Sequence, residues 1–245
     1  MKTGQKIMDV HTHILPGIDD GSQSMDESIR MLAVAEKEGI TDVIATPHYK
    51  GGRHNARPQT LQRLLQELRQ RAAEAEIQVS IWLGNEILYF SEIEDALDEH
   101  LVFTMNGSDF VLVEFQPADR YGYIRNALDH VQSLGYTPVL AHVERYACML
   151  KDRDAVRQLR DMGVRIQVNA ASVEGELGWK VKRFTHGLLS DRLVDYIGTD
   201  AHGYDKRAPK IKNCAKLINR KFGSEYADCV LYSNAYRDFV AQETR

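Results

Sequence analysis

Cysteine is scarce in this chain of 245 residues, with only Cys148, Cys214 and Cys229 present. An odd number without C-x-x-C spacing predicts neither a disulfide framework nor a thiolate zinc site, and it favours a reducing, cytoplasmic location. No run of about 18 apolar residues occurs, so no membrane span is expected. The first six residues also lack the apolar stretch and cleavage site of a signal peptide.

An excess of positive charge is also missing, since the formal net charge is -4. This balance indicates no nucleic-acid-binding surface. Low-complexity segments and close internal repeats are absent too. The length and a hydrophobic content of 43% suffice to bury a core, and we expect one domain over residues 1–245.

The chain alternates between short apolar runs and segments with helical periodicity. The strand-like runs cover residues 7–11, 42–45, 79–83, 110–113, 138–141, 164–168 and 194–197. The helix-like segments cover residues 26–38, 58–75, 120–134, 152–162, 180–189, 209–222 and 224–240. Gly39, Gly135 and Gly163 stand where helices would end before the next strand. Seven such units predict an α/β fold with one parallel sheet and helices outside.

An H-x-H pair, His11 and His13, lies at the end of the first strand-like run. Alternate side chains of a strand point to the same side, so both imidazoles can bind one metal ion. A lone H-x-H is weak evidence, but metal-competent side chains recur just past later runs. The nine candidate ligands are His11, His13, Asp20, His48, Glu86, Glu114, His142, Asp200 and His202.

Nine ligands exceed the four that one tetrahedral zinc ion needs, and they fit two or three ions with bridging carboxylates. Nitrogen and oxygen donors without thiolate suit Mn²⁺, Zn²⁺ or Fe²⁺, and the sequence does not choose among them. Ligands from many strands meet at one point only if the sheet closes. We therefore predict a distorted TIM-like (β/α)7 barrel rather than an open sheet.

Specific strings carry a resemblance to a known family. They are Asp9-Val10-His11-Thr12-His13, Ile18-Asp19-Asp20-Gly21, Thr46-Pro47-His48, Gly84-Asn85-Glu86-Ile87, Leu112-Val113-Glu114-Phe115, Ala141-His142-Val143-Glu144-Arg145-Tyr146 and Gly198-Thr199-Asp200-Ala201-His202. With these strings in order along nearly the whole chain, the sequence resembles the polymerase and histidinol phosphatase (PHP) superfamily. Within it, the sequence is similar to the CpsB/CapC bacterial tyrosine-protein phosphatases that regulate capsule and exopolysaccharide synthesis.

The resemblance implies a PHP barrel with a trinuclear, often Mn²⁺-dependent site; Fe²⁺, Zn²⁺, Co²⁺ and Mg²⁺ are alternatives. Its phosphate-binding arginines fall at Arg145 and Arg207, and His48 or His202 remains a candidate proton donor. Glu114 stands where other branches use histidine. The implied ligand sets are His11, His13, Glu86 and Asp200 for one ion, Glu86, Glu114 and His142 for a second, and Asp20, His48 and His202 for a third.

The resemblance further implies hydrolysis of phosphotyrosine by metal-bound hydroxide without a phosphoenzyme. The expected partner is the phosphotyrosine tail of an autophosphorylated bacterial tyrosine kinase, and a homo-oligomer is possible. The rival hypothesis is a small-molecule phosphatase of the histidinol-phosphate type. A metal-stabilised binding protein and a nuclease-type PHP module are disfavoured.

Several residues keep two interpretations at this point. Asp19 competes with Asp20 as a ligand, and Asp20 is preferred. Glu144 either orients a ligand or is exposed. The C-x5-R match from Cys214 to Arg220 is taken as chance, because its interior lacks glycine. Three tyrosines either flank an aryl substrate or pack at the barrel rim: Tyr121, Tyr123 and Tyr146. Four histidines away from the strand ends are expected to be solvated or packing residues: His54, His100, His130 and His186.

Overall fold

A computed structural model describes residues 5–52 and 55–241 of the chain. The strands are β1 (Met8–Thr12), β2 (Asp42–Ala45), β3 (His48–Tyr49), β4 (Ser80–Leu83), β5 (Glu86–Leu88), β6 (Phe110–Glu114), β7 (Thr137–Leu140), β8 (Arg165–Asn169) and β9 (Tyr196–Gly198). All seven predicted strands are present within one or two residues at each end. In the loop that follows His48, Arg53 and His54 lie outside the described residues.

The helices follow the predicted order. They are α1 (Met25–Glu38), α2 (Pro58–Glu74), α3 (Ile93–Asp98), α4 (Tyr121–Ser133), α5 (Arg153–Asp161), α6 (Ala170–Glu174), α7 (Trp179–Ser190), α8 (Lys212–Phe222), α9 (Ser224–Asp228) and α10 (Asn234–Phe239), with a π-helical turn over Cys229–Ser233. The short helices α3 and α6 were not predicted, because five or six residues carry too few turns to show a helical period.

Local signals explain the helix ends. The Ser24 hydroxyl accepts a hydrogen bond from the backbone N–H of Glu27 at the start of α1, and Gly39 ends this helix with a φ of 90°. Such capping satisfies polar groups that the helix itself leaves unpaired. In α2 the leucines at positions 61, 64, 65 and 68 are buried, so their spacing of three and four residues forms the core face of this helix.

The strands pair in parallel as β1-β2-β4 and as β3-β5-β6-β7-β8-β9. Two residues separate β2 from β3 and β4 from β5, and neither continuation was predicted from the sequence. In addition, Thr12 forms a single parallel bridge with Ala201, just past β9. The result is a mixed α/β fold with a curled parallel sheet that brings the first and last strands together.

Both faces of the curled sheet are buried. Val43 and Ala45 of β2 belong to an apolar cluster that includes α1 and α2, whereas Ile44 belongs to a second cluster with Phe239 of α10. This arrangement explains the continuous apolar runs, because strands covered on both sides need no polar face. Among the described residues, no helix is both long and apolar enough to cross a membrane.

Candidate metal centre

The nine predicted ligands lie together at the carboxyl ends of the strands and in the segments that follow. His11 lies within β1, Glu114 ends β6, and His48 and Glu86 begin β3 and β5. The remaining five follow strands: His13 and Asp20 after β1, His142 after β7, and Asp200 and His202 after β9. The curl of the sheet therefore collects ligands that are up to 191 positions apart (202 minus 11).

Glu86 is the centre of the site. Its Oε1 lies 2.9 Å from His142 Nε2 and 3.2 Å from His11 Nε2. Its Oε2 lies 3.0 Å from His48 Nδ1 and 3.2 Å from His13 Nε2. One buried carboxylate thus contacts four imidazoles, the geometry expected of a bridging ligand.

Three overlapping groups have ligand atoms within 4.8 Å of one another: His11, His13 and Asp200; His48, Glu86 and Glu114; and His13, Asp20, His48 and His202. Each group differs from the implied set by one residue: the first lacks Glu86, the second contains His48 in place of His142, and the third also contains His13. The implied second ion uses His142, whose Nε2 lies 3.3 Å from Glu114 Oε1.

The donor atoms fit divalent metal ions. The Nε2 atoms of His11 and His13 are 3.3 Å apart, about the separation of two tetrahedral ligands with bonds of 2.0–2.1 Å. Within the described part of the chain, Glu86 Oε2 and His48 Nδ1 are buried without an acceptable hydrogen bond. Buried polar atoms without partners are costly, and a cation between them would satisfy both.

Asp19 and Asp20 take different positions. Asp19 Oδ2 lies 2.8 Å from His13 Nδ1 and accepts a hydrogen bond from the backbone N–H of His48 at 3.0 Å. Asp20 Oδ1 instead lies 3.4 Å from His48 Nε2 and 3.6 Å from His202 Nε2. Asp19 therefore orients His13 from behind and leaves its Nε2 for a metal.

Gln167 is a functional candidate that the sequence analysis missed. Its buried Oε1 accepts a hydrogen bond from the backbone N–H of His142 at 2.6 Å and lies 3.3 Å from His11 Nδ1. Gln167 Nε2 donates to Asn169, whose Nδ2 donates to Asp200 Oδ2 at 3.0 Å. The available signal was polar residues at alternate positions of an otherwise apolar strand.

Two of the predicted ligands have unusual backbones. His142 has a φ of 31° and Asp200 a φ of 55°. Residues other than glycine rarely adopt this left-handed region. Asp200 is held there in part by its N–H, which donates to the carbonyl of His11 at 2.8 Å. Strained residues of this kind concentrate at functional sites.

The carboxylates control the protonation of the imidazoles. Burial by itself would lower the pKa of His13, but the hydrogen bond with Asp19 and the nearby charge of the Glu86 carboxylate raise this pKa to about 10. For His142, burial is likewise outweighed by Glu114 and Glu86, and the pKa rises to about 10. Burial and the nearby charge of His13 instead lower the pKa of His202 to about 4.

Arg145 and Arg207 lie at the rim of the site, where they are 38% and 46% exposed. Arg145 Nη1 contacts Asp200 Oδ2 at 3.2 Å, and Arg207 Nη2 contacts Asp200 Oδ1 at 3.0 Å. Both line a cavity of about 400 Å³ that also contacts Leu177. Each guanidinium keeps further N–H donors for an anion in this cavity.

Other predicted residues have structural roles. Tyr146 is fully buried and its hydroxyl accepts a hydrogen bond from the backbone N–H of Phe115, so it packs within the core instead of facing an aryl substrate. Tyr121 donates to Gln158, while Tyr123 is 48% exposed. Glu144 is buried and accepts from the backbone N–H of Asn169, so the exposed alternative for it was wrong.

Cys214 does not form a phosphate-binding loop. It is fully buried within α8, and burial raises the pKa of its thiol well above the usual range. A nucleophilic cysteine needs the opposite shift. Among the histidines expected to be ordinary, His130 contacts the Tyr89 hydroxyl and His186 the carbonyl of Val173. His100 is exposed, and His54 lies outside the described residues.

Comparison with known proteins gives consistent matches over nearly the whole chain. The family model for capsular polysaccharide synthesis, CpsB/CapC, matches residues 7–239. The tyrosine-protein phosphatase YwqE of Bacillus subtilis is 30% identical over 220 residues, 89% of this chain and 86% of the relative. The tyrosine-protein phosphatase CpsB of Streptococcus pneumoniae is 30% identical over 241 residues, 96% and 99% of the two chains.

Solved structures give the same result. A structure described among those of YwqE from B. subtilis and CpsB from S. pneumoniae, as metal-dependent tyrosine phosphatases, superposes with a TM-score of 0.90. The match covers 98% of this chain and 96% of that one at 28% identity. Histidinol phosphate phosphatase of Lactococcus lactis shares the fold, with a TM-score of 0.59 and 18% identity over 87% and 93% of the two chains.

Proposed function

This chain belongs to the CpsB/CapC family of capsular polysaccharide synthesis, and from that premise we propose how its residues carry out phosphotyrosine hydrolysis. It is a metal-dependent protein-tyrosine phosphatase. Relatives with this activity match it over most of their length. The observation that carries the proposal is the buried Glu86, which contacts four imidazoles beside two arginines aimed at one cavity. Site residues, metal identity and partner are our assignments.

We assign three ions to the ligand sets that the family resemblance implies. The first set is His11, His13, Glu86 and Asp200, the second Glu86, Glu114 and His142, and the third Asp20, His48 and His202. Mn²⁺ is our preferred metal, with Fe²⁺, Zn²⁺, Co²⁺ and Mg²⁺ as alternatives, because the donors are nitrogen and oxygen atoms without thiolate. When bound, such ions activate water and neutralise the charge of the phosphoryl group.

Arg145 and Arg207 bind and orient the phosphate. Both guanidiniums contact Asp200, which restrains them at the rim before substrate arrives. Planar forks of N–H donors match phosphate oxygens and hold the phosphorus in place for attack. The arginines thereby lower the barrier through positioning and charge, with no covalent phosphoenzyme.

A strong proton donor is not required for the leaving group. Tyrosine has a pKa near 10, so its phenolate leaves more readily than an alkoxide. Because the pKa of His202 is lowered to about 4, its imidazole is neutral at pH 7 and suits metal ligation better than proton donation. His48 is then our candidate for any general acid, on condition that its imidazole is not fully committed to the third ion.

The wider context of the enzyme is also a proposal. We assign the phosphotyrosine tail of a bacterial tyrosine kinase as substrate, and a cytoplasmic location. The bridge from Thr12 to Ala201 and the two strand continuations support a distorted seven-stranded PHP barrel. We treat residues 1–245 as one domain, and a homo-oligomer remains our hypothesis for the assembly.

Initial rates on two phosphomonoesters test this function. A phosphotyrosine peptide and histidinol phosphate are compared after chelation and after re-addition of Mn²⁺. We expect chelation to abolish turnover and Mn²⁺ to restore it on the peptide only. Restored turnover on histidinol phosphate alone would contradict the tyrosine phosphatase assignment and favour the small-molecule alternative.

A further inference from the structure

A second cleft lies beside the arginine rim. Helix α7 packs against the 3₁₀ turn Val143–Arg145 that carries Arg145. Next to this contact in the chain, a cleft of about 810 Å³ is lined by Ala147, Trp179, Phe184 and several basic side chains. Ala147 of this lining is two residues after Arg145, which lines the cavity at the rim, so one short segment of chain contributes to both cavities.

The cleft is basic although the whole protein is acidic. Lys151, Lys180 and Arg183 line it, and α7, with the sequence WKVKRFTHGLLS, contains no acidic residue. Within residues 5–52 and 55–241, none of these three side chains forms an ion pair. Arg153 also lines the cleft, but it is paired with Asp191 at 2.8 Å. Three cations thus remain available to a partner.

Exposed apolar side chains join the two cavities. Trp179 is 65% exposed and Leu177 is 53% exposed. Leu177 lines the cavity at Arg145, and Trp179 lines the basic cleft. Only Gly178 separates them, with a φ of 93°. An exposed tryptophan contributes a large, rigid contact surface at low entropic cost, as is typical of recognition sites.

We propose that the basic cleft binds an acidic peptide segment that flanks the phosphotyrosine of the protein substrate. The inference rests on the proposed function, because the phosphate at Arg145 fixes where the peptide begins. An extended chain covers about 3.3 Å per residue, so a few residues reach from the rim across Leu177 and Trp179 to the cleft. Carboxylates at these positions complement Lys151, Lys180 and Arg183.

Kinetics with matched substrates test the charge preference. The substrates are p-nitrophenyl phosphate and two phosphotyrosine peptides, one with Asp and Glu flanks and one with Asn and Gln flanks. We expect the enzyme to prefer the acidic peptide about tenfold in kcat/KM at low salt, and less at high salt. The charge-reversed variant K180E/R183E should lose this preference while its rate on p-nitrophenyl phosphate stays unchanged.

Two controls distinguish the cleft from general surface charge. The variant K216E/R220E reverses two charges on α8, outside the cleft lining, and should keep the preference. Trp179→Ala should raise KM for both peptides, and Trp179→Phe should restore most of the effect. Equal peptide preference in the wild-type enzyme and in K180E/R183E would overturn the proposal.

A binding measurement separates this inference from the proposed activity. The chain has two tryptophans, so Trp82→Phe leaves Trp179 as the sole indole reporter. Peptides carrying phosphonomethylphenylalanine in place of phosphotyrosine are titrated against its fluorescence. Tighter binding of the acidic peptide supports the cleft even if no phosphomonoester is hydrolysed, whereas absent hydrolysis alone contradicts the proposed function. Equal affinity of both peptides, or tighter binding of single-stranded DNA or anionic vesicles, would overturn the inference.

Discussion

Glu86 and Asp20 belong to one candidate metal centre, yet Glu86 is 1% exposed and Asp20 is 66% exposed. The same contrast separates an inner half, formed by His11, His13, Glu86 and His142, from an outer half, formed by Asp20, Arg145 and Arg207. Inner side chains extend from strand ends and are buried among one another. Outer side chains come from turns and retain access to solvent.

The difference indicates a division of labour. Inner ligands are supported from behind, since Asp19 Oδ2 lies at the His13 ring and Gln167 Oε1 lies at the His11 ring. Such support fixes ring orientation and metal affinity. The two outer arginines share one partner, Asp200, and can turn towards an incoming phosphate. Substitutions in the inner half should therefore remove metal, whereas substitutions of the two outer arginines should impair the reaction and leave the metal bound.

The largest expected effect comes from Glu86→Gln in the inner half. Loss of one carboxylate charge leaves four imidazoles without their shared partner, so we expect both lower metal content and a loss of activity of at least about a thousandfold. Elemental analysis and the rate on p-nitrophenyl phosphate measure the two effects. Glu67→Gln, on the exposed face of α2, is the control. Full metal content with a normal rate would remove Glu86 from the centre.

Arg145→Ala tests the outer half. We expect a loss of turnover of at least about a hundredfold with metal retained, the scale of losing one contact to transition-state charge. Arg157→Ala on α5 removes an exposed arginine elsewhere and should leave turnover unchanged. A near-wild-type rate for Arg145→Ala would exclude this arginine from the mechanism, and loss of metal would break the division between the halves.

Metal binding by the inner half should depend steeply on pH. His13 and His142 have pKa values of about 10 when paired with carboxylates, so both are protonated at pH 7.5, and metal must displace about two protons. Affinity should then rise by up to about a hundredfold per pH unit. Calorimetry of Mn²⁺ binding in buffers of different ionisation enthalpy counts the protons, and a count of zero would contradict the assignment.

The same histidine–carboxylate pairs make the stability of the metal-free protein depend on pH, in the opposite direction to metal affinity. Their folded pKa values lie above the unfolded value of 6.5, so in a chelated sample the stabilisation is complete below pH 6.5. It is lost as pH rises towards 10. Denaturant titrations of chelated protein at pH 6 and pH 9 should show this decrease, and added metal should reverse it.

Asp19→Asn should reduce activity less than Glu86→Gln or Arg145→Ala. The substitution removes the charge behind His13 but no ligand, so metal affinity should fall by about tenfold to a hundredfold. Competition with a chelator of known affinity measures the change, and saturating metal should restore most of the rate. Rates that stay low at saturating metal would indicate that Asp19 is itself a ligand.

Cys214→Ala should have the smallest effect on activity. Cys214 is buried in α8 away from the predicted ligands, and we expect a rate within about twofold of wild type with a stability loss of about 1 kcal/mol. Thermal unfolding and the peptide assay measure both. Abolished turnover in a folded, metal-loaded variant would instead support a mechanism in which Cys214 is the nucleophile.

The inner half was largely predictable from the sequence. Its ligands follow apolar runs, and parallel strands bring such positions to one edge, so His11, Glu86 and His142 could be grouped without coordinates. The supporting residues were not predictable, because Gln167 is 25 positions from His142 and 156 positions from His11 along the chain. Strands β3 and β5 were missed for a related reason: two or three residues show no periodicity.

Anomalous X-ray scattering from crystals of the Mn²⁺-loaded enzyme shows directly whether these side chains bind metal. We expect peaks enclosed by His11, His13, Glu86 and Asp200, by Glu86, Glu114 and His142, and by Asp20, His48 and His202. A fully active enzyme without a peak among these side chains would contradict this assignment.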